Sequence, residues 1–274
     1  LAGHGGGWRP LVYCWRGGQR SGAFATILAQ IGWRTARLSG GWKSWRALVL
    51  DQVERRGPPA PVVVLDGNTG AAKTEILHLL AARGVQVVDL EGLANHRGSL
   101  FGARPGGQPA QKLFETRLAM ALAGLDSARP VVVEAESSRI GGLALPRAMW
   151  RAICEAPRLR LSVPVTARAD YTARAYADAV LEPGRVEATV ARLAPLHPAE
   201  RIEDWRALAQ RREWAALAEG LMRHHYDPRY EKHRARHGAL ERAVIGVERL
   251  DAAGLEDAAA RVEAAVAGLH PQGL

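Results

Sequence analysis

The sequence feature that most constrains the fold is an apolar run followed at once by a glycine-containing loop and a helical pattern. Residues 61–65 are continuously apolar, residues 66–74 contain Gly67 and Gly70 and end in Lys-Thr, and apolar side chains recur at helical spacing from residue 76. Unbroken apolar runs are typical of strands covered on both faces, as in parallel sheets flanked by helices. The stretch therefore predicts an α/β domain whose first loop binds a phosphate group.

The loop has the residue types of a Walker A phosphate-binding loop, with one departure. Its candidate phosphate-binding residues are Gly67, Asn68, Thr69, Gly70, Ala71, Ala72, Lys73 and Thr74. In such loops backbone N–H groups surround the phosphate, the lysine reaches its oxygens and the following hydroxyl can hold Mg²⁺. Ala72 replaces the glycine that usually precedes the lysine, which costs on the order of 1 kcal/mol if that residue needs a positive φ. The alternative interpretation is an ordinary strand-to-helix turn.

Polar side chains follow two further predicted strands. The candidate ligand or acid–base residues are Asp89, Glu91, His96, Arg97 and Glu134, with Glu136 as a further acid of the same kind. We expect them at the carboxyl edge of the sheet, where open α/β sheets bind ligands. An acid there can order a metal-bound water, the histidine can transfer a proton and the arginine can hold a phosphate. Each acid taken alone fits equally well as the cap of a turn, and no set of metal-ligating residues is predicted.

A rhythm of strands and helices extends over the middle of the chain. The predicted strands are 61–65, 85–90, 130–133 and 159–165, and the predicted helices are 72–83, 109–124, 146–156 and 167–180. This alternation predicts a P-loop NTPase-like domain over residues 61–182, built on a parallel sheet. Residues 183–274 are rich in Ala, Leu, Arg and Glu at helical spacing, so we expect a helical C-terminal region without a strand.

A second strand–loop–helix unit, near the start of the chain, centres on a cysteine. Two glycines after Cys14 allow the loop to turn so that successive backbone N–H groups face one point. The helix that begins near Ser21 adds its dipole, and an arginine adds its charge, so a thiolate is favoured there. The predicted nucleophile is Cys14, and the predicted anion-binding residues are Arg16, Gly17, Gly18 and Arg20. This unit, residues 1–57, contains too few strands for a sheet of its own, so we expect the chain to be truncated at the N-terminus.

Composition limits the partners and the compartment. The net charge is +9 and the pI about 10.2, which suits a polyanionic partner such as RNA, although GC-rich codon usage would raise the arginine content equally well. No apolar run approaches the roughly 18 residues that a membrane span needs, and the first residues lack the apolar core of a signal peptide. Two cysteines do not make a disulfide framework, so we predict a cytoplasmic protein.

The residues leave rival functions open. The Cys14 to Arg20 spacing, C-x5-R, equals that of cysteine phosphatases of related fold, and a sulfurtransferase would use the same loop. A catalytically silent RNA- or nucleotide-binding fragment is the third possibility. Residues 224–230, His-His-Tyr-Asp-Pro-Arg-Tyr, interrupt the helical pattern; adjacent histidines without a thiolate argue against zinc. That segment is either a base-stacking cluster or, more simply, a helix turn ended by its proline.

Two motifs together resemble one known family. Cys14-Trp-Arg-Gly-Gly-Gln-Arg-Ser21 with Gly40-Gly-Trp-Lys-Ser-Trp-Arg46 resembles the second half of a rhodanese domain. Its fusion to a phosphate loop, followed by Asp89-Leu-Glu-Gly-Leu-Ala-Asn-His-Arg-Gly-Ser99, resembles the tRNA 2-selenouridine synthase family, as does His225-Tyr-Asp-Pro-Arg-Tyr230. The resemblance covers nearly the whole chain. It implies an α/β fold in three parts: a partial rhodanese-like domain, a P-loop parallel-sheet domain and a helical C-terminal region.

The resemblance, rather than the spacing, implies the chemistry. Members of this family replace the 2-thio sulfur of a wobble uridine in tRNA with selenium from selenophosphate, and a geranylated intermediate formed from geranyl diphosphate is associated with the same enzyme. Cys14 would be the essential cysteine, with Arg16, Gly17, Gly18 and Arg20 as its anion-binding loop. The implied partners are tRNA and the enzyme that produces selenophosphate. Geranyl diphosphate or a nucleotide, with Mg²⁺ as a candidate ion, would occupy the phosphate loop.

Overall fold

The computed structural model describes residues 1–16, 18–176, 184–235 and 240–269. In chain order the described strands are β1 (Leu11–Val12), β2 (Ala36–Arg37), β3 (Val62–Gly67), β4 (Gln86–Val88), β5 (Val131–Glu134), β6 (Arg139–Ile140), β7 (Leu143–Ala144), β8 (Arg158–Ser162) and β9 (Glu241–Gly246). The described α-helices are α1 (Gln19–Gln30), α2 (Gly41–Leu50), α3 (Lys73–Ala82), α4 (Leu90–Ala94), α5 (Gln111–Ala123), α6 (Arg147–Glu155), α7 (Val165–Ala175), α8 (Arg185–Ala191), α9 (Ala199–Gln210), α10 (Trp214–Leu221), α11 (Asp227–Arg234) and α12 (Ala252–Ala267). Short π-helical turns span Asp51–Arg56 and Met222–Tyr226, and a 3₁₀ turn spans Ala194–Leu196.

A five-stranded parallel sheet forms the centre of the molecule, in the order β4-β5-β3-β8-β9. The central strand β3 is buried along its whole length and pairs with β5 and β8, for example Val64 with Val133 and with Arg158. Because all five strands run the same way, their carboxyl ends meet at one edge. The predicted α/β class and the four predicted strands of this region are confirmed. A separate parallel pair, β1 with β2, carries the cysteine unit.

The prediction that residues 183–274 form a helical region without a strand is wrong. Strand β9 adds to the edge of the central sheet beside β8, and α12 returns to pack against α3. In β9 Ile245 is buried, whereas its neighbour Val244 is about half exposed. A strand with charged residues at its start and only one buried face lacks the unbroken apolar run that identified the inner strands.

Two apolar layers cover the faces of the sheet. One layer includes α5 and α6, and the other includes α3 and α12. The first layer also takes Val49 and Val53, from α2 and the π-helical turn after it, both of which are buried. The second half of α2, which lies within the predicted 1–57 unit, therefore packs against the sheet of the predicted P-loop domain. The domain limits 1–57, 61–182 and 183–274 stay predictions.

Helices α8, α9 and α10 form a further layer around the buried Trp205. Helices α10 and α11 are joined by the π-helical turn, so the chain stays helical through Pro228. The expectation of a helix turn ended by this proline is wrong: the helix continues through Pro228, whose missing N–H falls where the π-helical turn directly before it interrupts the α-helical bonding. Within the described part of the chain, no helix combines the length and the apolar character needed to cross a lipid bilayer.

The placement of β9 yields a stability prediction. Ile245→Ala removes a side chain that is 4% exposed, so we expect the free energy of unfolding to fall by about 2–5 kcal/mol. The matched control is Val244→Ala, whose side chain is 46% exposed on the opposite face, and we expect a loss under about 1 kcal/mol there. Urea unfolding of both variants measures the difference. Equal losses would contradict the assignment of these faces.

Candidate functional site: a phosphate-loop cavity and a cysteine loop

The phosphate loop (residues 66–74) connects the end of β3 to the start of α3, as predicted. The Lys73 ammonium donates a hydrogen bond to the Gly67 carbonyl at 2.9 Å, and the Asp66 carboxylate accepts from the Gly67 N–H at 2.7 Å. Burial lowers the pKa of Lys73, but the nearby Tyr230, Glu91 and Glu136 outweigh it, so the pKa is raised. A charged lysine at a helix N-terminus that follows a buried strand is the arrangement that binds phosphate.

Two residues of the phosphate loop take left-handed backbone conformations. Gly70 has φ 81°, and a Cβ there would lie 2.6 Å from Thr172 Oγ1, so only glycine fits. Ala72 has φ 55° and ψ 32°, which confirms that the sequence places an alanine where the loop needs a positive φ. Its methyl group is buried in the apolar layer with α3. Burial of a methyl contributes about 0.8 kcal/mol, which offsets most of the backbone cost of about 1 kcal/mol.

Two residues that sequence reasoning missed hold the loop from the other side. Arg168, on α7, donates to both carboxylate oxygens of Asp227, at 3.0 Å and 2.7 Å, and to the Thr69 carbonyl at 3.0 Å. The Asn68 side chain donates to Asp227 Oδ1 at 3.0 Å. Asp227 belongs to the 224–230 segment described above. Arg168 gave no sequence signal, because it is a single arginine within a helix and lies 99 residues from Thr69 in the chain.

The acidic candidates separate into different roles. Thr74 Oγ1 donates to Glu91 Oε2 at 3.0 Å, and the Glu91 N–H donates to Glu134 Oε1 at 2.8 Å. Burial raises the pKa of Glu91, and it raises those of Glu134 and Glu136 well above the ordinary value, with neighbouring carboxyl groups adding to the effect for both. Burial and mutual repulsion therefore keep the cluster from carrying three full negative charges beside a phosphate site.

Asp89 has a structural position at the start of α4. Its carboxylate caps that helix by accepting from the Gly92 N–H at 2.6 Å, and its second oxygen lies 2.9 Å from His78 Nε2. The carboxylate is therefore engaged by its own turn and by α3. The interpretation of this acid as a turn cap, which the sequence left open, is the one that the structure supports.

His96 and Arg97 lie beside the phosphate loop. The buried His96 accepts from the Gly98 N–H at its Nδ1, at 3.1 Å, and its pKa is lowered by burial and by nearby arginines. It is therefore neutral near pH 7, with its proton on Nε2. The Arg97 guanidinium stacks over the Tyr176 ring at 4.8 Å. Their proposed acid–base and phosphate-binding roles stay predictions.

One cavity of about 590 Å³ brings together Lys73, Glu91, His96 and Arg97 of the predicted site, whereas Asp89 and Glu134 do not line it. The phosphate loop, the His96–Leu100 loop, the end of β5 and α11 all contribute to its wall. Its basic lining residues are Lys73, Arg97, Arg139, Arg192 and Arg229, its acidic ones are Asp66, Glu91 and Glu136, and its aromatic ones are His96, His225, Tyr226 and Tyr230. A cavity of this size next to the phosphate loop suits a ligand whose phosphate groups the loop N–H donors and Lys73 would hold.

The cysteine loop (residues 14–20) surrounds a partly exposed sulfur. The Ser21 hydroxyl lies 3.4 Å from Cys14 Sγ, and α1 begins after Gly18, which has φ 78°. The pKa of the Cys14 thiol is lowered, first by the Ser21 hydroxyl, then by the Ser21 backbone N–H, with smaller contributions from Gly18 N–H and the Arg20 charge. These are the groups expected around a favoured thiolate. Gly17 lies outside the described residues.

Helix α2 joins the cysteine loop to the P-loop domain. At its start the Trp42 N–H donates to the Cys14 carbonyl at 2.9 Å, and a Cβ on Gly41 would lie 2.2 Å from that same oxygen. One turn later Arg46 forms an ion pair with Glu115 on α5, and both side chains are largely buried. The position of the cysteine is therefore fixed by a helix whose other end lies in the core of the sheet.

The conformation of Ala72 gives a prediction for this site. We expect Ala72→Gly to change the free energy of unfolding by less than about 1 kcal/mol. Glycine relieves the backbone strain of a positive φ, but the variant loses a buried methyl group, and the two effects oppose each other. A β-branched side chain at φ 55° is a genuine outlier, so Ala72→Val should cost more than about 2 kcal/mol. Urea unfolding compares the two. A valine variant as stable as the unmodified chain would contradict the left-handed conformation.

Comparison with solved structures finds only distant likeness. A shikimate kinase from Bacteroides thetaiotaomicron aligns over 75% of this chain and 98% of its own, with 15% identity and a TM-score of 0.37. A shikimate kinase from Acinetobacter baumannii, in complex with shikimate, gives a TM-score of 0.33 at 17% identity over 76% of this chain and 93% of its own. Structural likeness at TM-scores this low does not extend to function.

Comparison with protein families and curated sequences is more specific. Residues 60–194 match the family described as the tRNA 2-selenouridine synthase AAA domain. The tRNA 2-selenouridine synthases of Aeromonas salmonicida and Hahella chejuensis are 39% and 40% identical over 61% and 62% of this chain, which spans 44% and 47% of their lengths. The synthase of Cupriavidus pinatubonensis is 33% identical over 80% of this chain and 67% of its own length. The chain therefore belongs to the tRNA 2-selenouridine synthase family.

Proposed function

We propose that this chain carries the active part of an enzyme that replaces the 2-thio sulfur of a wobble uridine in tRNA with selenium. One observation carries the proposal: a cysteine with a lowered pKa and a phosphate-loop cavity are joined by a single helix, α2. Cys14 is the proposed nucleophile, because a thiolate is polarisable and reactive. Its sulfur would attack the phosphorus of selenophosphate, the proposed selenium donor supplied by the enzyme that produces it, so that an S–P bond forms, the P–Se bond breaks and hydrogen selenide leaves with no change of oxidation state. The selenide would then add to the uridine carbon and expel the 2-thio sulfur as hydrogen sulfide or, when geranylated, as geranyl thiol, and water would hydrolyse the phosphocysteine.

The surroundings of Cys14 support a tetrahedral anion as its reactant. Arg16, Lys43 and Ser44 line an open depression next to the cysteine loop, and Arg20 adds positive charge to the sulfur. Cations and hydroxyl donors around a thiolate suit selenophosphate. A cysteine phosphatase would also need a general acid, and the described residues that line this depression include no carboxylic acid.

A narrow apolar cavity beside the phosphate loop supports a prenyl diphosphate as the second ligand. It shares Thr69, Ser99 and Tyr226 with the polar cavity. Its other walls are mostly apolar: Phe101, Thr172, Ala173, Tyr176, Val186, Trp214, Leu217, Ala218, Leu221 and Met222. At about 70 Å³ this cavity would admit only part of a geranyl chain. Its apolar walls next to the phosphate loop nevertheless favour geranyl diphosphate over a nucleotide, whose base needs polar partners.

Mg²⁺ would find suitable oxygen ligands next to the same phosphates. The Thr74 hydroxyl and the carboxyl groups of Glu91 and Glu136 lie together there, and Mg²⁺ is commonly held by one or two carboxylates plus phosphate oxygens. The ion would neutralise phosphate charge. Among the described residues, no group of three or more His, Cys, Asp or Glu side chains could hold a metal ion.

The first test of this function follows selenium. Full-length enzyme supplied with selenophosphate, geranyl diphosphate and a 2-thiouridine tRNA should yield selenouridine, measured by mass spectrometry of the nucleosides. Cys14→Ser should abolish the product because a hydroxyl is a much weaker nucleophile than a thiolate. Cys154→Ser, which changes the second free cysteine, is the control and should leave the product unchanged. Selenouridine formed equally by both variants would refute the role of Cys14.

The second test concerns the ligand of the phosphate loop. Lys73→Ala removes a charged donor, worth about 1.5–3 kcal/mol, so geranyl diphosphate should bind roughly 10- to 100-fold more weakly by calorimetry. Lys112→Ala, which removes an exposed lysine from α5, is the matched control and should keep the affinity. An affinity that is the same in all three proteins would remove the phosphate-loop assignment.

A further inference from the structure

We propose that three arginines at the mouth of the phosphate-loop cavity bind the phosphodiester backbone of single-stranded RNA. These mouth arginines are Arg139, Arg192 and Arg229, and all three line the cavity. The inference rests on the proposed function, because it assigns the surface that brings the tRNA to the phosphate loop. It goes beyond that function in naming which residues hold the RNA.

The mouth arginines are placed differently from the lysine of the phosphate loop. Each belongs to a separate segment: Arg139 to β6, Arg192 to the end of α8 and Arg229 to α11. All three residues are exposed, whereas Lys73 is half-buried within the loop. Cations from three separate segments thus converge on the opening of the cavity, and the phosphate loop lies deeper.

The mouth arginines also keep their charge unneutralised. Arg139 donates to the Gly142 carbonyl at 2.8 Å, Arg192 to Thr189 Oγ1 at 3.4 Å, and Arg229 Nη1 lies 2.9 Å from His225 Nε2. None of the three pairs with a carboxylate among the described residues. Arg223, on the same helical run as Arg229, instead pairs with Glu219. The mouth therefore presents net positive charge to an anionic partner.

A histidine pair orients Arg229 without neutralising it. His225 is 3% exposed and lies between Arg229 and His197, whose Nε2 is 3.0 Å from His225 Nδ1. Since an arginine only donates, His225 Nε2 accepts from it, and its Nδ1–H donates to His197. Burial, Arg229 and His197 lower the pKa of His225 to about 4, which keeps the ring neutral. A buried neutral acceptor fixes the guanidinium and leaves its full charge for a ligand.

RNA fits this arrangement better than a second small anion does. The loop N–H groups and Lys73, with its immediate neighbours, are enough to bind one diphosphate. The three mouth arginines then have no anionic partner in the small ligand. Tyr226 and Tyr230 line the same cavity, and single-stranded RNA is recognised by aromatic side chains that stack on splayed bases next to arginines. A wobble uridine lies in a single-stranded loop, so its flanking phosphates would meet the mouth while the base enters the cavity.

The experiment measures binding of a fluorescently labelled anticodon stem-loop RNA at several salt concentrations. The variants are Arg139→Gln, Arg192→Gln, Arg229→Gln and the triple combination, with Arg223→Gln on the same helical run as the matched control. Each phosphate of a single strand that the protein no longer neutralises reduces the slope of log K against log salt by about 0.7. We expect the slope to fall by about 2 in the triple variant and by less than about 0.7 in Arg223→Gln. Geranyl diphosphate affinity should stay unchanged in all of them.

A second pair of variants tests the histidine. His225→Gln keeps an acceptor for Arg229 and should retain RNA affinity, whereas His225→Leu should weaken RNA binding as Arg229→Gln does.

The outcomes separate the inference from the proposed function. If the unmodified protein binds RNA and the triple variant has the same salt slope as the Arg223→Gln control, the inference is overturned and the proposed function stands. Loss of geranyl diphosphate affinity without loss of RNA affinity would reassign the arginines to the small ligand. Absence of RNA binding by the unmodified protein would overturn the proposed function together with the inference.

Discussion

The bidentate ion pair between Arg168 and Asp227 is the interaction on which the cavity depends. It joins the phosphate loop, through the Thr69 carbonyl and the Asn68 side chain, to the start of α11. Arg168 is almost completely buried, so removal of either partner would leave an uncompensated charge in a poorly solvated place. The residues of α11 that line the cavity are held opposite the loop because this pair fixes where α11 begins.

The charge at the phosphate loop depends on Lys73 and the acids beside it. Glu91 and Glu136 line the cavity, Glu134 is fully buried and accepts from the Glu91 N–H, and burial raises the pKa values of all three. Glu91 and Glu136 help to raise the pKa of Lys73, and Lys73 in turn lowers theirs against the effect of burial. The lysine and these two acids therefore stabilise one another's charged forms next to the phosphate loop.

The sequence predicted what depends on local patterns. The inner strands, the phosphate loop and the helix that follows it all depend on adjacent residues. Strand β9 was missed because an edge strand with one buried face does not form a continuous apolar run. The Arg168–Asp227 ion pair joins residues 59 positions apart, and nothing in either neighbourhood specifies the other. The π-helical turn before Asp227, which carries the helix through Pro228, has no sequence signature either.

Helix α2 has a consequence for the spacing between the cysteine loop and the sheet. Ten residues of α-helix extend about 15 Å, and this one holds the backbone of the cysteine at one end and an apolar anchor under the sheet at the other. A helix is stiff along its axis, so the length of α2 sets the distance between the backbone of the cysteine and the apolar layer of the sheet.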